Sequence, residues 1–316
     1  MSHIALLGAG FSRNWGGWLA TEVLGELLGR VGSDRDSYAR LRRSGNFEDT
    51  LADLQAEART RQSPEAVARL ASFESAIMAT FADMNQVFAA FPGWGLSNDA
   101  RDSIDAFLSR FDVIFTLNQD LLLELHYRNE LVGGARRWAG PTYPGMAPPA
   151  NWQATPPTER ITLPWQPAGE VRLDNRCQPI IKLHGSANWR DPAGNHLMVM
   201  GGAKLQAIDR HPVLRSYLEL FTQHLNAGDA KVMAIGYGFQ DAHINELLVQ
   251  AGTQHGMRMH IVNPAGLEVL RRYPAHAVQG PNPLNDLALI GVTMRTLREA
   301  FSGDKLSQRS LLRFFQ

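Results

Sequence analysis

Polar side chains that could do chemistry follow two short apolar runs of the sequence. Asn118 and Asp120 come after residues 113–117, and His184 comes directly after residues 180–183. A histidine at a strand end can act as a general base near neutral pH. An amide and a carboxylate two residues apart suit hydrogen bonding to sugar hydroxyls or to a positioned water. The simpler alternative is that Asn118 caps the next helix, Asp120 favours its first turn and His184 makes a structural hydrogen bond.

Glycines follow two further apolar runs. Gly8 and Gly10 end the first run, with Ser12 adding a hydroxyl, and Gly236 and Gly238 end a later one. Glycine permits a tight turn and the close approach of a pyrophosphate to the backbone. In a parallel sheet such ligands bind at the carboxyl ends of the strands. These turns therefore predict a nucleotide site, although a lone Gly-Ala-Gly can equally be an ordinary turn.

Two residues near the end of the predicted sheet extend this pattern. Asp241 follows the second pair of glycines and can begin the next helix. Asn263 ends a fourth apolar run and offers an amide to a ribose or an adenine, while Pro264 can start a helix. Each feature alone has a structural explanation, and together they place four polar strand ends on one edge of one sheet.

A hydride-transferring dehydrogenase is disfavoured. The usual dinucleotide fingerprint needs a third glycine at position 13, where this chain has Arg13. It also needs an acidic residue at the end of a second strand about twenty positions on. The chain continues there as a helix, and Asp34 lies in a charged loop.

Apolar runs that alternate with helical patterns predict an α/β, Rossmann-like parallel sheet with helices on both faces. We expect one domain of 316 residues, with its core at about 1–32, 111–132 and 178–300. Residues 33–110 have a helical period throughout and predict a helical insertion. A second, Pro- and Trp-rich insertion is expected at about 133–178, because ten of the 17 prolines lie between residues 133 and 192. A helix is also expected from Gln119 to Glu130.

Composition excludes several classes of protein. The 31 basic residues balance 31 acidic ones, so we expect no direct nucleic-acid binding. Cys177 is the single cysteine, which excludes an intrachain disulfide and a multi-cysteine zinc site. No apolar stretch approaches the roughly 20 residues of a membrane span, and the first residues do not resemble a signal peptide. A cytoplasmic location away from membranes is therefore expected.

Taken in order, these segments resemble the sirtuin-like family, and within it the bacterial NAD-hydrolysing branch associated with antiphage defence. Residues 8–12 with Gly16 resemble the Gly-Ala-Gly-x-Ser turn of the family, and residues 116–120 resemble its Thr-x-Asn-x-Asp segment. Residues 183–186 look like its catalytic His-Gly segment. Residues 236–241 and Asn263 are similar to its later nucleotide-contacting segments. The matches span residues 4 to 264 but cover neither insertion.

Two departures separate the chain from the protein-deacylating sirtuins. Those enzymes carry four cysteines for a structural zinc, and this chain has only Cys177. The first turn continues as Trp15-Gly16-Gly17-Trp18 instead of the Pro-Asp-Phe-Arg of the deacylases. Both differences favour hydrolysis of NAD over deacylation, with no metal expected.

The resemblance implies a mechanism and a set of site residues. Asn118 would orient the ribose and the attacking water, His184 would take a proton from a ribose hydroxyl or from that water, and Asp120 would hold the ribose or nicotinamide end. The residues expected to bind the nucleotide are Gly8, Ala9, Gly10, Phe11, Ser12, Gly236, Tyr237, Gly238, Asp241 and Asn263.

A free NAD hydrolase would poison its own cell, so the activity should be held off until triggered. We expect a toxic effector subunit that forms a homo-oligomer or pairs with a HerA-type ATPase or an Argonaute-like protein. Candidate contact surfaces are the two insertions and the apolar tail at residues 311–315, each of which can equally be ordinary packing. The alternatives are a non-catalytic NAD or ADP-ribose sensor or scaffold, a deacylase and an ADP-ribosyltransferase.

Overall fold

The computed structural model describes residues 2–94, 103–128, 131–132, 135–271 and 281–316. In chain order its strands are β1 (His3–Leu7), β2 (Val113–Thr116), β3 (Leu131–Val132), β4 (Ala135–Arg136), β5 (Pro141–Thr142), β6 (Met146–Ala147), β7 (Gln166–Pro167), β8 (Gln178–Lys182), β9 (Gly185–Arg190), β10 (His196–Met198), β11 (Lys231–Ile235), β12 (Arg258–Val262) and β13 (Ala288–Thr293). Within the described residues, seven of these strands form one sheet in the order β13-β12-β11-β1-β2-β8-β5.

The sheet is parallel and has the strand order of a Rossmann fold. β1 lies at its centre and pairs in parallel with β2 on one side and with β11 on the other. From β1 the chain first builds outward through β2 and β8, and later returns to build the other half from β11. This reversal creates a crevice at the carboxyl ends of β1 and β11, which is where ligands of open α/β sheets bind.

Continuous burial shows that the sheet is covered on both faces. All residues of β2, β8 and β11 are buried, and so are four of the five residues of β1. Since alternate side chains of a strand point to opposite faces, such a pattern requires covering elements on both sides. The predicted Rossmann-like α/β fold is therefore confirmed.

The helices occupy the segments between the strands and the segment after β13. They are α1 (Ala9–Arg13), α2 (Ala20–Arg30), α3 (Arg35–Ser44), α4 (Phe47–Arg61), α5 (Pro64–Ala89), α6 (Ile104–Leu108), α7 (Leu122–His126), α8 (Pro157–Arg160), α9 (Lys204–Asp209), α10 (Pro212–Leu225), α11 (Ala242–His255), α12 (Glu268–Arg271), α13 (Leu297–Phe301) and α14 (Lys305–Leu312).

The described part of the segment 33–110 is helical, as its period predicts. Its longest helix, α5, begins after Ser63, whose side chain accepts a hydrogen bond from the backbone N–H of Ala66, and Pro64 occupies the first turn. One face of α5 is buried along most of its length through Phe73, Ile77, Phe81, Met84 and Phe88.

The helix predicted from Gln119 to Glu130 is wrong in its bounds. α7 starts only at Leu122 and ends at His126, and Glu130 lies outside the described residues. The reason is tertiary: the Gln119 side-chain amide donates to the backbone carbonyl of Val199 at 2.6 Å, which holds this residue in a non-helical turn.

The apolar tail packs against the body of the chain. Leu311 and Phe314 are buried, and the ring of Phe315 lies 4.9 Å from that of Phe111 between centroids. The ring of Phe314 also contacts His3 at the start of the central strand. The tail thus has the ordinary packing role that the sequence left open.

No helix in the described residues is long and apolar enough to cross a membrane.

Two glycines with similar backbone angles differ in their surroundings and allow a matched test. Gly236 (φ +62°) would place a Cβ 2.3 Å from the Gly10 carbonyl carbon, whereas Gly256 (φ +71°), which ends α11, has open space there. We expect Gly256→Ala to cost about 1 kcal/mol, the penalty of the left-handed conformation alone. Gly236→Ala should cost about 3 kcal/mol or more, because the two loops must also separate.

Thermal unfolding of both variants measures this difference, at roughly 1–2 °C per kcal/mol for a chain of this size. Equal losses of stability in the two variants would contradict the close contact between the two loops.

Candidate functional site

The crevice between β1 and β11 is built by direct contact between two glycine loops. The backbone N–H of Gly8 donates to the carbonyl of Ile235 at 3.0 Å, and that of Gly10 donates to Gly236 at 2.9 Å. A Cβ on Gly10 would lie 2.7 Å from the Cα of Gly236. These glycines are therefore required by the packing of the loops, and two N–H groups that a pyrophosphate could use are already paired.

Three buried side chains at the ends of β1 and β2 form one hydrogen-bonded chain. Ser12 Oγ donates to Asp120 Oδ2 at 2.7 Å, and Asn118 Nδ2 donates to Ser12 Oγ at 2.9 Å. Because an ionised carboxylate only accepts, Asp120 fixes Ser12 as a donor toward it and thereby fixes the orientation of the Asn118 amide. The backbone N–H of Asn118 donates to Thr116 Oγ1, which further holds this turn.

Asp120 is not a conventional helix cap, although one of its oxygens serves α7. Its Oδ1 accepts from the backbone N–H of Leu122 at 3.0 Å, while Oδ2 is bound by Ser12. Asn118 does not cap α7 at all, because the residue before that helix is Leu121. The structure thus brings Asn118 and Asp120 together with Ser12, and Asp120 also binds the first turn of the helix.

A buried ion pair that the sequence did not reveal lies next to these three hydrogen-bonded side chains. Lys182 Nζ binds Glu124 Oε1 at 2.7 Å and donates to the backbone carbonyl of Asp120 at 2.5 Å. The two side chains are 2% and 0% exposed. Burial raises the pKa of Glu124, and the Lys182 ammonium opposes that effect. A lysine within the apolar run 180–183 was the signal that could have revealed it.

A second cluster forms where β8 meets the start of α11. His184 is buried, and its Nε2 lies 3.0 Å from Nε2 of His243, a residue that the sequence analysis did not select. Lys204 Nζ lies 2.6 Å from Asp241 Oδ1 and 2.7 Å from Glu48 Oε2. The helical segment 33–110 therefore contributes a carboxylate to this edge of the sheet.

Burial determines the charge state of the two rings. It lowers the pKa of His184 to about 3 and that of His243 to about 4, so both imidazoles are neutral at pH 7. Burial also acts to raise the pKa of Asp241, but the Lys204 ammonium holds it at about 2. The pKa of Lys204 lies above its usual value, because Asp241 and Glu48 outweigh the effect of burial.

The loop between β11 and α11 is held in an unusual conformation. Phe239 is fully buried with φ +52°, a left-handed angle that is rare for a bulky residue. Asn245 secures it: its Nδ2 donates to the Phe239 carbonyl at 2.9 Å, and its Oδ1 accepts from the Tyr237 hydroxyl at 2.8 Å. Such a conformation persists only where the surrounding structure fixes it.

Asn263 uses its side chain within the protein. Its Nδ2 donates to the carbonyl of Tyr237 at 3.3 Å, and its Oδ1 accepts from the backbone N–H of Ala265. This amide ties the end of β12 to the glycine loop after β11. Its contact with a ribose or an adenine remains a prediction.

The strand register relates the two clusters. Thr116 of β2 pairs with Lys182 of β8, and the N–H of Leu183 donates to the carbonyl of Thr116. Asn118 and His184 therefore each stand two residues beyond a paired position on neighbouring parallel strands, at the same edge of the sheet.

The family follows from comparison with known proteins. A model of the SIR2-like domain matches residues 112–275, slightly more than half of the chain. The chain belongs to the SIR2-like family. The match includes both Asn118 and His184 and excludes the first glycine turn. Members of this family use NAD, so the chain has an NAD-related, sirtuin-like function. No curated protein matches the chain.

The buried ion pair of this SIR2-like chain gives a second prediction. Lys182→Met leaves the Glu124 carboxylate without its partner, and breaking such a pair costs about 3–5 kcal/mol. The double variant Lys182→Met/Glu124→Gln should recover part of that loss, because no unpaired charge remains. Denaturant unfolding of the wild type, both single variants and the double variant gives the coupling energy.

The exposed pair Arg172–Glu170 is the matched control, with side chains 82% and 78% exposed. Arg172→Met should change stability by less than about 1 kcal/mol. If the Lys182 and Glu124 effects were simply additive, the pair would not be coupled as described.

Proposed function

We propose that this chain is an NAD glycohydrolase, which converts NAD and water to ADP-ribose, nicotinamide and a proton. The observation that carries the proposal is the hydrogen-bonded chain Asn118–Ser12–Asp120, with His184 at the matching position of the next strand. It satisfies the main requirement of this reaction, which is an oriented amide and a neutral imidazole at the carboxyl edge of a nucleotide-binding sheet.

The dinucleotide would bind along the crevice where the strand order reverses. We assign the pyrophosphate to the first turn, from Gly8 through Ala9 and Gly10 to Phe11 and Ser12. The N–H groups of Gly8 and Gly10 already bind the second loop. These two glycines would therefore act mainly by allowing the pyrophosphate to come close to the backbone. Gly236, Tyr237, Gly238 and Asn263 would line the opposite side of the crevice.

In the reaction the bond between the ribose C1′ and the nicotinamide nitrogen breaks, and its electron pair leaves with nicotinamide. The sugar acquires oxocarbenium character, and a water oxygen then bonds to C1′. Since Asn118 Nδ2 is held by Ser12, its Oδ1 is the group that would orient the water or a ribose hydroxyl. Asp120 fixes that amide through Ser12 and places a negative charge near the developing cation.

His184 would accept a hydrogen bond from a ribose hydroxyl or from the attacking water. The ring is neutral at pH 7, because burial lowers its pKa to about 3. A base this weak accepts a proton fully only when its partner is strongly acidified, as a hydroxyl is beside an oxocarbenium ion. We therefore assign His184 chiefly to holding the ribose and relaying the proton as water attacks.

The competing functions differ in their requirements. A sensor or scaffold would bind NAD without needing both Asn118 and His184. A deacylase of the zinc-bearing kind would need cysteines that the chain lacks. An ADP-ribosyltransferase would transfer the label of NAD to a protein instead of releasing free ADP-ribose.

Nicotinamide release by purified protein, assayed in buffer with a chelator, tests the proposal. Asn118→Ala and His184→Ala should each lower kcat by about 10²–10⁴-fold, the usual contribution of such groups. His255→Ala, at the exposed end of α11, is the control and should keep the parent rate. Calorimetric titration with NAD distinguishes lost binding from lost chemistry.

Parent-rate turnover by either site variant would refute the assigned roles. Tight NAD binding by the wild type without any nicotinamide release would instead establish the sensor or scaffold function.

We further propose that the activity belongs to a cytoplasmic effector of bacterial antiphage defence and is held off by self-assembly or by a partner, such as a HerA-type ATPase or an Argonaute-like protein. This part of the proposal rests on the family resemblance and on the toxicity of uncontrolled NAD loss. Measuring nicotinamide release with and without the product of the neighbouring gene tests it, and equal rates would argue against a partner switch.

A further inference from the structure

Three side chains at the edge of the site form a cluster with the donor set of a metal centre. His184, Asp241 and His243 each offer one ligand atom, and these three atoms lie within 4.8 Å of one another. Among the residues that the structure describes, no other group of three histidine, cysteine or acidic side chains brings its donors so close. Two of the three ligands come from one Asp-x-His segment at the start of α11, and the third comes from the turn that follows β8.

The two ring nitrogens are hydrogen-bonded to each other at 3.0 Å, and they are also close enough to share an ion in place of that hydrogen bond. Metal–imidazole bonds are about 2.0–2.1 Å long. At that length, two nitrogens 3.0 Å apart subtend an angle of about 90° at the ion, as neighbouring ligands do in octahedral coordination. A tetrahedral ion such as zinc would need them about 3.3 Å apart, a shift of a few tenths of an ångström.

Asp241 is oriented for this role and not for capping its helix. It stands at the N-cap position of α11, yet its side chain makes no capping hydrogen bond. Lys204 binds its Oδ1 at 2.6 Å and is itself held by Glu48, and these contacts would fix the orientation of a ligating carboxylate. The other oxygen, Oδ2, would be the ligand.

The donor atoms of the cluster also select the kind of cation. They are two imidazole nitrogens and one carboxylate oxygen. A two-histidine, one-carboxylate set selects borderline transition metals and not Mg²⁺ or Ca²⁺, which prefer oxygen ligands alone.

We propose that His184, His243 and Asp241 bind a divalent transition-metal ion, and that this ion inhibits NAD cleavage by occupying His184. The binding half stands on the geometry alone, whereas the inhibitory half rests on the proposed function. An ion on His184 would draw electron density from the imidazole and fix its ring, so the ring could not accept the proton of the proposed reaction, and occupancy and turnover would exclude each other. The site thereby departs from the sequence-based expectation that no metal is involved.

Binding is tested on full-length protein stripped with a chelator and then dialysed. We expect calorimetric titration with Zn²⁺ to give one site per chain, and Co²⁺ to give visible absorption bands of mixed nitrogen and oxygen coordination. His243→Ala and Asp241→Asn should weaken Zn²⁺ binding at least about tenfold, in line with loss of a ligand. His255→Ala, an exposed histidine on the same helix, should bind as the wild type does.

Wild type that fails to bind Zn²⁺ and Co²⁺ at micromolar concentrations would overturn the proposal. So would binding that His243→Ala leaves unchanged, since the metal would then be bound elsewhere.

Inhibition is tested by nicotinamide release from the stripped protein as Zn²⁺ is added. Activity should fall at least about tenfold as the site fills and return with excess chelator. Turnover that persists at full occupancy would overturn the inhibitory half. If the stripped protein binds Zn²⁺ as described but never releases nicotinamide, the proposed function fails while the metal site stands, so the two failures are distinguishable.

Discussion

The close contact between two glycine loops at the centre of the sheet is the constraint on which the rest of the structure depends. Gly8 and Gly10 on one loop and Gly236 on the other approach until no side chain fits between them. This contact lies at the base of the crevice where the strand order reverses. It also sets the position of Ser12, and through Ser12 the position of Asn118. The chemistry proposed for this edge of the sheet therefore begins with backbone packing.

A buried ion pair and a partly buried group of charges hold the side chains that we propose for the reaction. Lys182, which is paired with Glu124, donates a hydrogen bond to the backbone carbonyl of Asp120 and so fixes the turn after β2. Lys204 joins Asp241 to Glu48 and so ties the α11 end of the sheet to the helical segment 33–110. Burying such charges costs free energy unless they are paired. Each group lies beside a residue that we propose for the reaction.

Much of the fold could be predicted from the sequence, because buried parallel strands appear as short apolar runs that end in polar or glycine residues. Asn118, Asp120 and His184 were found in this way, as strand-end residues. The parts that were missed depend on distant partners. Lys182 forms an ion pair with Glu124, and the ring of His184 contacts that of His243. No local sequence pattern shows that these side chains meet. The helix after β2 was predicted too long because a hydrogen bond from Gln119 to Val199 overrides its local preference.

The most direct test of the central claim is a crystal structure of the Asn118→Ala variant with intact NAD. The account predicts the pyrophosphate at the turn of residues 8–12 and the nicotinamide ribose between position 118 and His184, with a ribose hydroxyl within hydrogen-bond distance of that imidazole. NAD bound in another part of the molecule, or a ribose out of reach of His184, would contradict it.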